Sequence, residues 1–315
     1  MINMEAEEPP LVSVIIPTYN RGELISCTIE SALAQTHQNI ELIVVDDAST
    51  DNTRTVVERF IDPRIKYFCL EKNSGPSTAR TTGVNRSQGQ FVTFLDSDDG
   101  WNTQKIEQQL AAIRQQADPG NVVCYTKAII VQDNNTSLLP TRGKHEDEPV
   151  GDYILCGSDG LIHTSSLMLA LDLALANPFP VDQNIFEDWD LFLRLEEKGV
   201  NWLYLDQPLI TWNNQFREDR LTQSEHDGSV WLEEHKHYLT KKAQNAFSLK
   251  GIVRPLIRSR QRKLYSLKLL LYIFSCNDIS FTQFLKLTLK IFLSPTIAKQ
   301  LKALVPFHFR RQMDS

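Results

Sequence analysis

Short runs of β-branched and aromatic residues alternate with amphipathic stretches along the N-terminal half of this chain. Leu11 to Ile16 predicts a strand, and Gly22 to Gln35 a helix, because Leu24, Ile25, Thr28, Ile29, Ala32 and Leu33 recur at helical spacing. Ile40 to Val45 is the next strand, after which Ser49-Thr50-Asp51 caps a helix running to Phe60. A third strand covers Arg64 to Leu70, and Gly75-Pro76-Ser77 opens a helix to about Ser87. Phe91 to Leu95 is a fourth strand, Asn102 to Gln116 a helix, and Val122 to Val131 a further strand. Strands alternating with helices predict an α/β fold with a mostly parallel sheet flanked by helices.

Periodicity fades from Asn134 to Asp159, which is rich in Gly, Pro, Asp, Glu and Lys and reads as a loop or lid. Structure returns over Leu161 to Ala176. In the next helical segment Trp189, Phe192 and Leu193 share one stripe, which makes Trp189 a core candidate and sets Glu187 and Asp188 in the first turn, where the helix dipole favours acids. From Thr240 onward the apolar runs Leu264 to Phe274 and Phe281 to Leu293 are broken by Lys268, Lys286 and Lys290, too soon for a membrane span. Helices of this pattern lie in a membrane plane, or else cover a protein surface.

Composition is that of an ordinary soluble globular protein, at 42% hydrophobic and 23% charged residues over 315 positions. The acidic start, Met1 to Pro10, reads as disordered and lacks the features of a signal peptide. Five cysteines with no Cys-x-x-Cys spacing indicate neither a disulfide framework nor a zinc site, so a reducing, cytoplasmic setting is expected. The net charge of −6 conceals an asymmetry: residues 240–315 carry 15 Lys and Arg against two Asp, a net of +13, leaving −19 on the rest. An acidic front excludes nucleic acid as its partner, whereas the basic tail suits an anionic membrane surface.

Two acidic clusters, Asp46-Asp47 and Asp96-Ser97-Asp98-Asp99, fall at the carboxyl ends of predicted strands, where such sheets bind ligands. Crowded carboxylates call for a cation, a hydrogen-bonding ligand or open water, and among cations their oxygen ligands favour Mg²⁺ or Mn²⁺ with water and substrate phosphates completing the shell. The competing reading of the second cluster is a solvated turn or helix cap before Trp101. No Gly-x-Gly-x-x-Gly follows the first strand, where Pro17-Thr18-Tyr19-Asn20 stands, and this weighs against a dinucleotide-binding dehydrogenase.

Taken together and in order, Val12 to Asn20, Val44 to Asp51, Gly75 to Arg80 with Gly83, Phe94 to Asp99, and Glu187 to Leu191 resemble the inverting family 2 glycosyltransferases of GT-A fold, over about residues 11 to 215. The resemblance implies a Rossmann-like nucleotide-binding half (11–131), an acceptor half (132–239), and a basic helical extension (240–315) that it does not explain. It implies transfer from a nucleotide-sugar, most often a UDP-sugar, to a hydroxyl of a glycan or lipid-linked saccharide, with Mn²⁺ or Mg²⁺ as cofactor. In that reading Asp47 accepts from the uracil ring beside a cradle of Pro17, Thr18 and Tyr19, and Arg80 approaches the nucleotide or pairs with the acidic rim. Asp96 and Ser97 lie toward the ribose or donor sugar, Asp98 ligates the metal with Asp99 as its alternate, and Asp188 is the general base with Glu187 competing. Trp189 is then a wall for the acceptor sugar. One segment departs from the family: Thr211-Trp212-Asn213-Asn214-Gln215 replaces a basic stretch that reaches the phosphates or metal, leaving Arg217, Arg220 or His226 as substitutes. That departure motivates a rival, a non-catalytic nucleotide-sugar-binding or scaffolding subunit.

Overall fold

A computed structural model of the chain describes residues 8–133, 135–181, 183, 185–215, 228–259, 263–276 and 278–292. It divides into two compact units, Met1–Thr222 and Gln223–Ser315.

The first unit is built on β1 (Val12–Thr18), β2 (Ile40–Asp46), β3 (Ile65–Cys69) and β4 (Phe91–Phe94), with α1 (Ile25–Leu33), α2 (Thr53–Val57) and α3 (Pro76–Arg86) between them. Every residue of β1 and β2 is buried, the mark of strands covered on both faces. Val14, Ile16, Leu42 and Val44 pack with Ile25 and Ile29 of α1 and with Ile106 and Leu110 of α4 (Lys105–Ile113), whereas Ile43 and Val45 pack against Ala79 of α3. Gly83 allows α3 to approach β1 closely, since a Cβ there would stand 2.4 Å from Ile15 Cγ2. Pairing among these four strands is parallel, in the order β3-β2-β1-β4, so their carboxyl ends meet at one edge.

Beyond β4 the sheet becomes mixed. β8 (Met168–Ala170) runs antiparallel to both β4 and β6 (Val122–Gln132), β9 (Asn201–Asn213) lies parallel to β6, and the two-residue β5 (Gly100–Trp101) closes the row beside β9. The segment expected to be a loop or lid contains β7 (Asn135–Leu139), paired with β6, and α5 (Val150–Leu155). β7 escapes detection because it is a polar, mostly exposed edge strand, and α5 because it spans only six residues. The long β9 also carries no alternation, since a register shift at Thr126–Lys127 of its partner disrupts its pairing. After α6 (Leu171–Ala176), α7 (Glu187–Glu197) follows.

The second unit comprises α8 (Ser229–His235), α9 (Lys241–Phe247) continued by a π-helical turn, α10 (Arg254–Ser259), α11 (Lys263–Ser275) and α12 (Phe281–Phe292). It begins upstream of the expected boundary at 240. Trp231 of α8 stacks on Phe247 of α9 at 4.4 Å, so α8 belongs with the helices that follow. Leu270 and Ile273 of α11 bury against Leu287 and Ile291 of α12, while Leu264, Leu271, Phe281, Leu285, Leu289 and Phe292 remain exposed. No helix among the described residues is long and apolar enough to cross a membrane.

Candidate active site

Loops following β1 and β2 are laced together at the carboxyl edge. Asn20, held at φ 51°, accepts from Thr50 N at 2.8 Å through Oδ1, and its own N–H donates to Ser49 Oγ at 2.8 Å. Asp51 accepts from Gly22 N at 3.0 Å and Thr53 N at 2.9 Å. Asp46 has a local structural task, taking Ser49 N at 2.7 Å and the Tyr67 hydroxyl at 2.5 Å. Asp47 reaches across to the start of α3, where Ser74 N and Gly75 N donate to its two oxygens at 2.7 Å each. Gly75 sits at φ 86°, a conformation that favours glycine. Burial, with the Asp46 charge, raises the Asp47 carboxyl above its ordinary range against the pull of those two N–H groups. Each oxygen retains a lone pair, so the residue can still accept from a ligand. Beside it Thr18 Oγ1 is buried with no hydrogen-bond partner among the described residues, an atom suited to bind a ligand. Pro17 is buried within β1, and Tyr19 is exposed.

Arg80 projects from α3 and joins the two acidic regions. Its guanidinium donates to Asp96 Oδ1 at 2.7 Å and to Glu187 Oε1 at 2.9 Å, and it lies 5.4 Å from the centre of the Phe179 ring. Burial opposes its charge, but the two carboxylates more than offset this and raise its pKa. Arg80 thus pairs with the acidic rim. Glu187 and Asp188 occupy the first turn of α7, entered through Phe186 in the left-handed region at φ 64°. Such a conformation costs a bulky residue about 1–3 kcal/mol, a strain typical of functional sites. Burial pushes Asp188 up to about 7, reinforced by the Glu187 charge and moderated by Arg80. Burial also raises Glu187, against the pull of Arg80. Trp189 leaves the core stripe of Phe192 and Leu193; it is half-buried and stacks on Phe186 at 5.0 Å.

The Asp96-to-Asp99 run is a tight turn closed by Asp99 N donating to Asp96 O at 2.9 Å. Such a turn brings its first and fourth residues together. Asp96, Asp99 and His163 accordingly form a group whose potential ligand atoms lie within 4.8 Å of one another. Asp98, the expected ligand, is not in this group, and Ser97 is buried in the turn. Asp99 accepts from Ser165 Oγ at 2.6 Å and Asn213 N at 3.1 Å, and His163 Nδ1 stands 3.6 Å from Asp99 Oδ2. Burial, then the Asp96 and Asp98 charges, raises Asp99 well above the carboxylate range. A divalent cation would relieve that crowding, so these residues fit the metal the family implies, with the imidazole favouring Mn²⁺ over the harder Mg²⁺.

His163 and Ser165 were not visible as site residues in the sequence. Their only signal is a polar His-Thr-Ser-Ser run directly before the buried Leu167-Met168-Leu169. The His163 ring lies 4.7 Å from Trp212, so an imidazole stands against the segment that lacks the family's basic residues. Arg217, Arg220 and His226 lie outside the described residues.

The carboxyl edge of the sheet thus carries Asp47, the Asp96-to-Asp99 turn and, linked to that turn through Arg80, the half-buried pair Glu187 and Asp188. The chain belongs to glycosyl transferase family 2 and is a glycosyltransferase: the family model matches residues 13–158. It is 36% identical over 186 residues to the UDP-Glc:alpha-D-GlcNAc-diphosphoundecaprenol beta-1,3-glucosyltransferase WfgD of Escherichia coli, covering 59% of this chain and 69% of that protein. Similarity to the amylovoran biosynthesis glycosyltransferase AmsB of Erwinia amylovora is 28% over 285 residues, 87% of this chain and 94% of that one. The fold is that of S. aureus TarS 1–349, solved with UDP-GlcNAc, at a TM-score of 0.64 and 19% identity over 96% of this chain and 88% of that one. This likeness identifies the mixed α/β sheet as GT-A.

Proposed function

We infer that the protein transfers a sugar from a UDP-sugar to a hydroxyl of a lipid-linked saccharide, with inversion, in the assembly of a cell-surface polysaccharide. The observation that carries this reading is the division of labour between carboxylates: Asp96 and Asp99 crowd with His163, whereas Asp188, raised by burial to about 7, stands apart beyond Arg80. UDP-sugar and diphosphoundecaprenol chemistry is that of WfgD, and TarS binds UDP-GlcNAc.

In this mechanism Asp47 and Thr18 hold the uracil and its ribose beside Pro17 and Tyr19, and Ser97 lines the donor side. Asp96, Asp99 and His163 would hold a divalent cation, which when bound supplies positive charge to the departing diphosphate. Asp188 accepts the proton of the acceptor hydroxyl as its oxygen bonds to the anomeric carbon. The bond from that carbon to phosphate oxygen breaks, and its electron pair leaves with UDP. Glu187 is occupied by Arg80, which favours Asp188 as the base. Because only the ionised Asp188 can accept a proton, kcat should rise as pH increases through about 7 and level off above it. Initial rates at saturating substrate check this; a kcat flat across neutrality would contradict it.

Incubating the purified protein with UDP-, GDP- and TDP-sugars and Mn²⁺, then measuring nucleoside diphosphate release, tests the function. Release from UDP donors, accelerated by a diphosphate-lipid acceptor, is expected. A donor that binds without turnover in the presence of acceptor would support the scaffolding reading, and binding of none would refute both.

The basic second unit would keep the enzyme at the cytoplasmic membrane face. Lys263, Lys268 and Lys290 are exposed on α11 and α12, alongside the exposed apolar positions. Each basic side chain contributes about 1 kcal/mol at an anionic surface, so reversing all three to Glu should weaken binding to phosphatidylglycerol vesicles by about 100-fold or more. Co-sedimentation measures this, and unchanged binding would refute the anchor.

A further inference from the structure

Beneath the carboxylate turn lies a buried lysine that the chemistry above does not use. Lys105 is the first residue of α4 and has no exposed surface. Its ammonium donates to Thr93 Oγ1 at 2.8 Å and Gln109 Oε1 at 2.7 Å, and lies 4.0 Å from the centre of the Trp101 ring. Burial lowers its pKa to about 7. The ammonium, with three N–H donors and no acceptor, dictates the direction of the hydrogen bonds around it, and the neutral amine keeps two N–H groups for the same two acceptors. Thr93 must accept from Lys105 and therefore sends its own proton to Leu167 O, at 2.5 Å. Gln109 must turn its carbonyl to Lys105 and therefore its amide NH₂ to Ser166 O, at 2.9 Å. Trp101, whose ring covers the ammonium, donates from Nε1 to Ser165 O at 2.9 Å. Three consecutive carbonyls, 165 to 167, are thus held by three side chains gathered on one lysine.

The middle of that grip is functional. Ser165 donates from Oγ to Asp99 and accepts at the same oxygen from Asp96 N, at 3.1 Å, while its own N–H points to His163 Nδ1 at 3.2 Å. We propose that Lys105 is a positioning residue: by orienting Thr93, Gln109 and Trp101 it fixes the Ser165 backbone and so the spacing of Asp96, Asp99 and His163. It rests on the reading of those three residues as the metal and diphosphate site, and it acts on that site without touching substrate. Lys105→Met leaves Thr93 free to rotate and Gln109 free to flip, releasing the carbonyls.

The test measures Mn²⁺ affinity by the electron paramagnetic resonance signal of free Mn²⁺, together with donor KM and kcat. Lys105→Met is expected to raise the Mn²⁺ dissociation constant and the donor KM by about tenfold or more, with kcat at saturation changed less than about threefold. Leu110→Ala, buried on the same helix but outside the network, reports simple destabilisation and is expected to change neither constant more than about twofold. Trp101→Phe keeps the ring over the ammonium and removes one donor, so it serves if Lys105→Met does not fold; it should raise the Mn²⁺ constant severalfold. Wild-type affinities in Lys105→Met, equal losses in Leu110→Ala, or, should Lys105→Met fail to fold, unchanged affinity in Trp101→Phe would overturn the proposal. A wild-type protein that takes up no Mn²⁺ would overturn the site reading, and the proposal with it.

Discussion

Asp188→Asn should lower kcat by about a thousandfold or more while leaving donor affinity within about twofold. A positioned general base contributes about 10²–10⁴ to rate, and a thousandfold loss corresponds to about 4 kcal/mol of transition-state stabilisation. The amide keeps the shape and can still accept from Trp189 N, which donates to the carboxylate at 2.9 Å, so the fold of α7 is preserved. Glu187→Gln, in contrast, should retain measurable turnover, because its carboxylate is engaged by Arg80 at 2.9 Å and does not act as base. Steady-state rates and calorimetric UDP-sugar titrations of both variants distinguish the two acids. If Glu187→Gln proved the dead variant and Asp188→Asn the active one, the roles would exchange.

The second large effect concerns the cation. Chelation should abolish turnover, and Mn²⁺ should restore it, since uncompensated charge on a departing diphosphate forfeits several kcal/mol. His163→Ala should weaken Mn²⁺ binding by about 10–100-fold, at least the loss that outer-shell partners produce. Asp98→Ala should weaken it less, because Asp98 lies outside the group formed by Asp96, Asp99 and His163. Titration followed by free-Mn²⁺ resonance separates these cases. Tighter dependence on Asp98 than on His163 would return the metal to the residue that the motif alone suggests.

Why the motif alone points to Asp98 is instructive. Hydrophobic runs announce β1 and β2 because parallel strands buried on both faces are continuously apolar, β3, β4 and β6 are also rich in β-branched and aromatic residues, and the acidic residues after β2 and β4 are legible as strand-end groups. Which carboxylates meet depends on the turn closed by Asp99 N and Asp96 O, a backbone fact that composition does not encode. His163 was hidden for a different reason. It is the N-cap of a 3-10 turn, Thr164–Ser166, that leads into the antiparallel β8, elements too short to have a period, and it reaches the site because β8 inserts between β4 and β6. Arg80 was legible as a site residue, yet its bond to Glu187 spans 107 positions and separates the two acids in a way that sequence cannot. Lys105 would be taken as a surface residue at a helix start, and only the folded chain reveals that it is buried.

The central claim is inverting transfer from a UDP-sugar, and the stereochemistry of the first-formed product tests it most directly. Proton NMR of the anomeric signal, recorded early in the reaction of an α-linked UDP-sugar with acceptor and Mn²⁺, should show a β-configured product whose formation is lost in Asp188→Asn. An α-configured product would contradict a single displacement driven by Asp188.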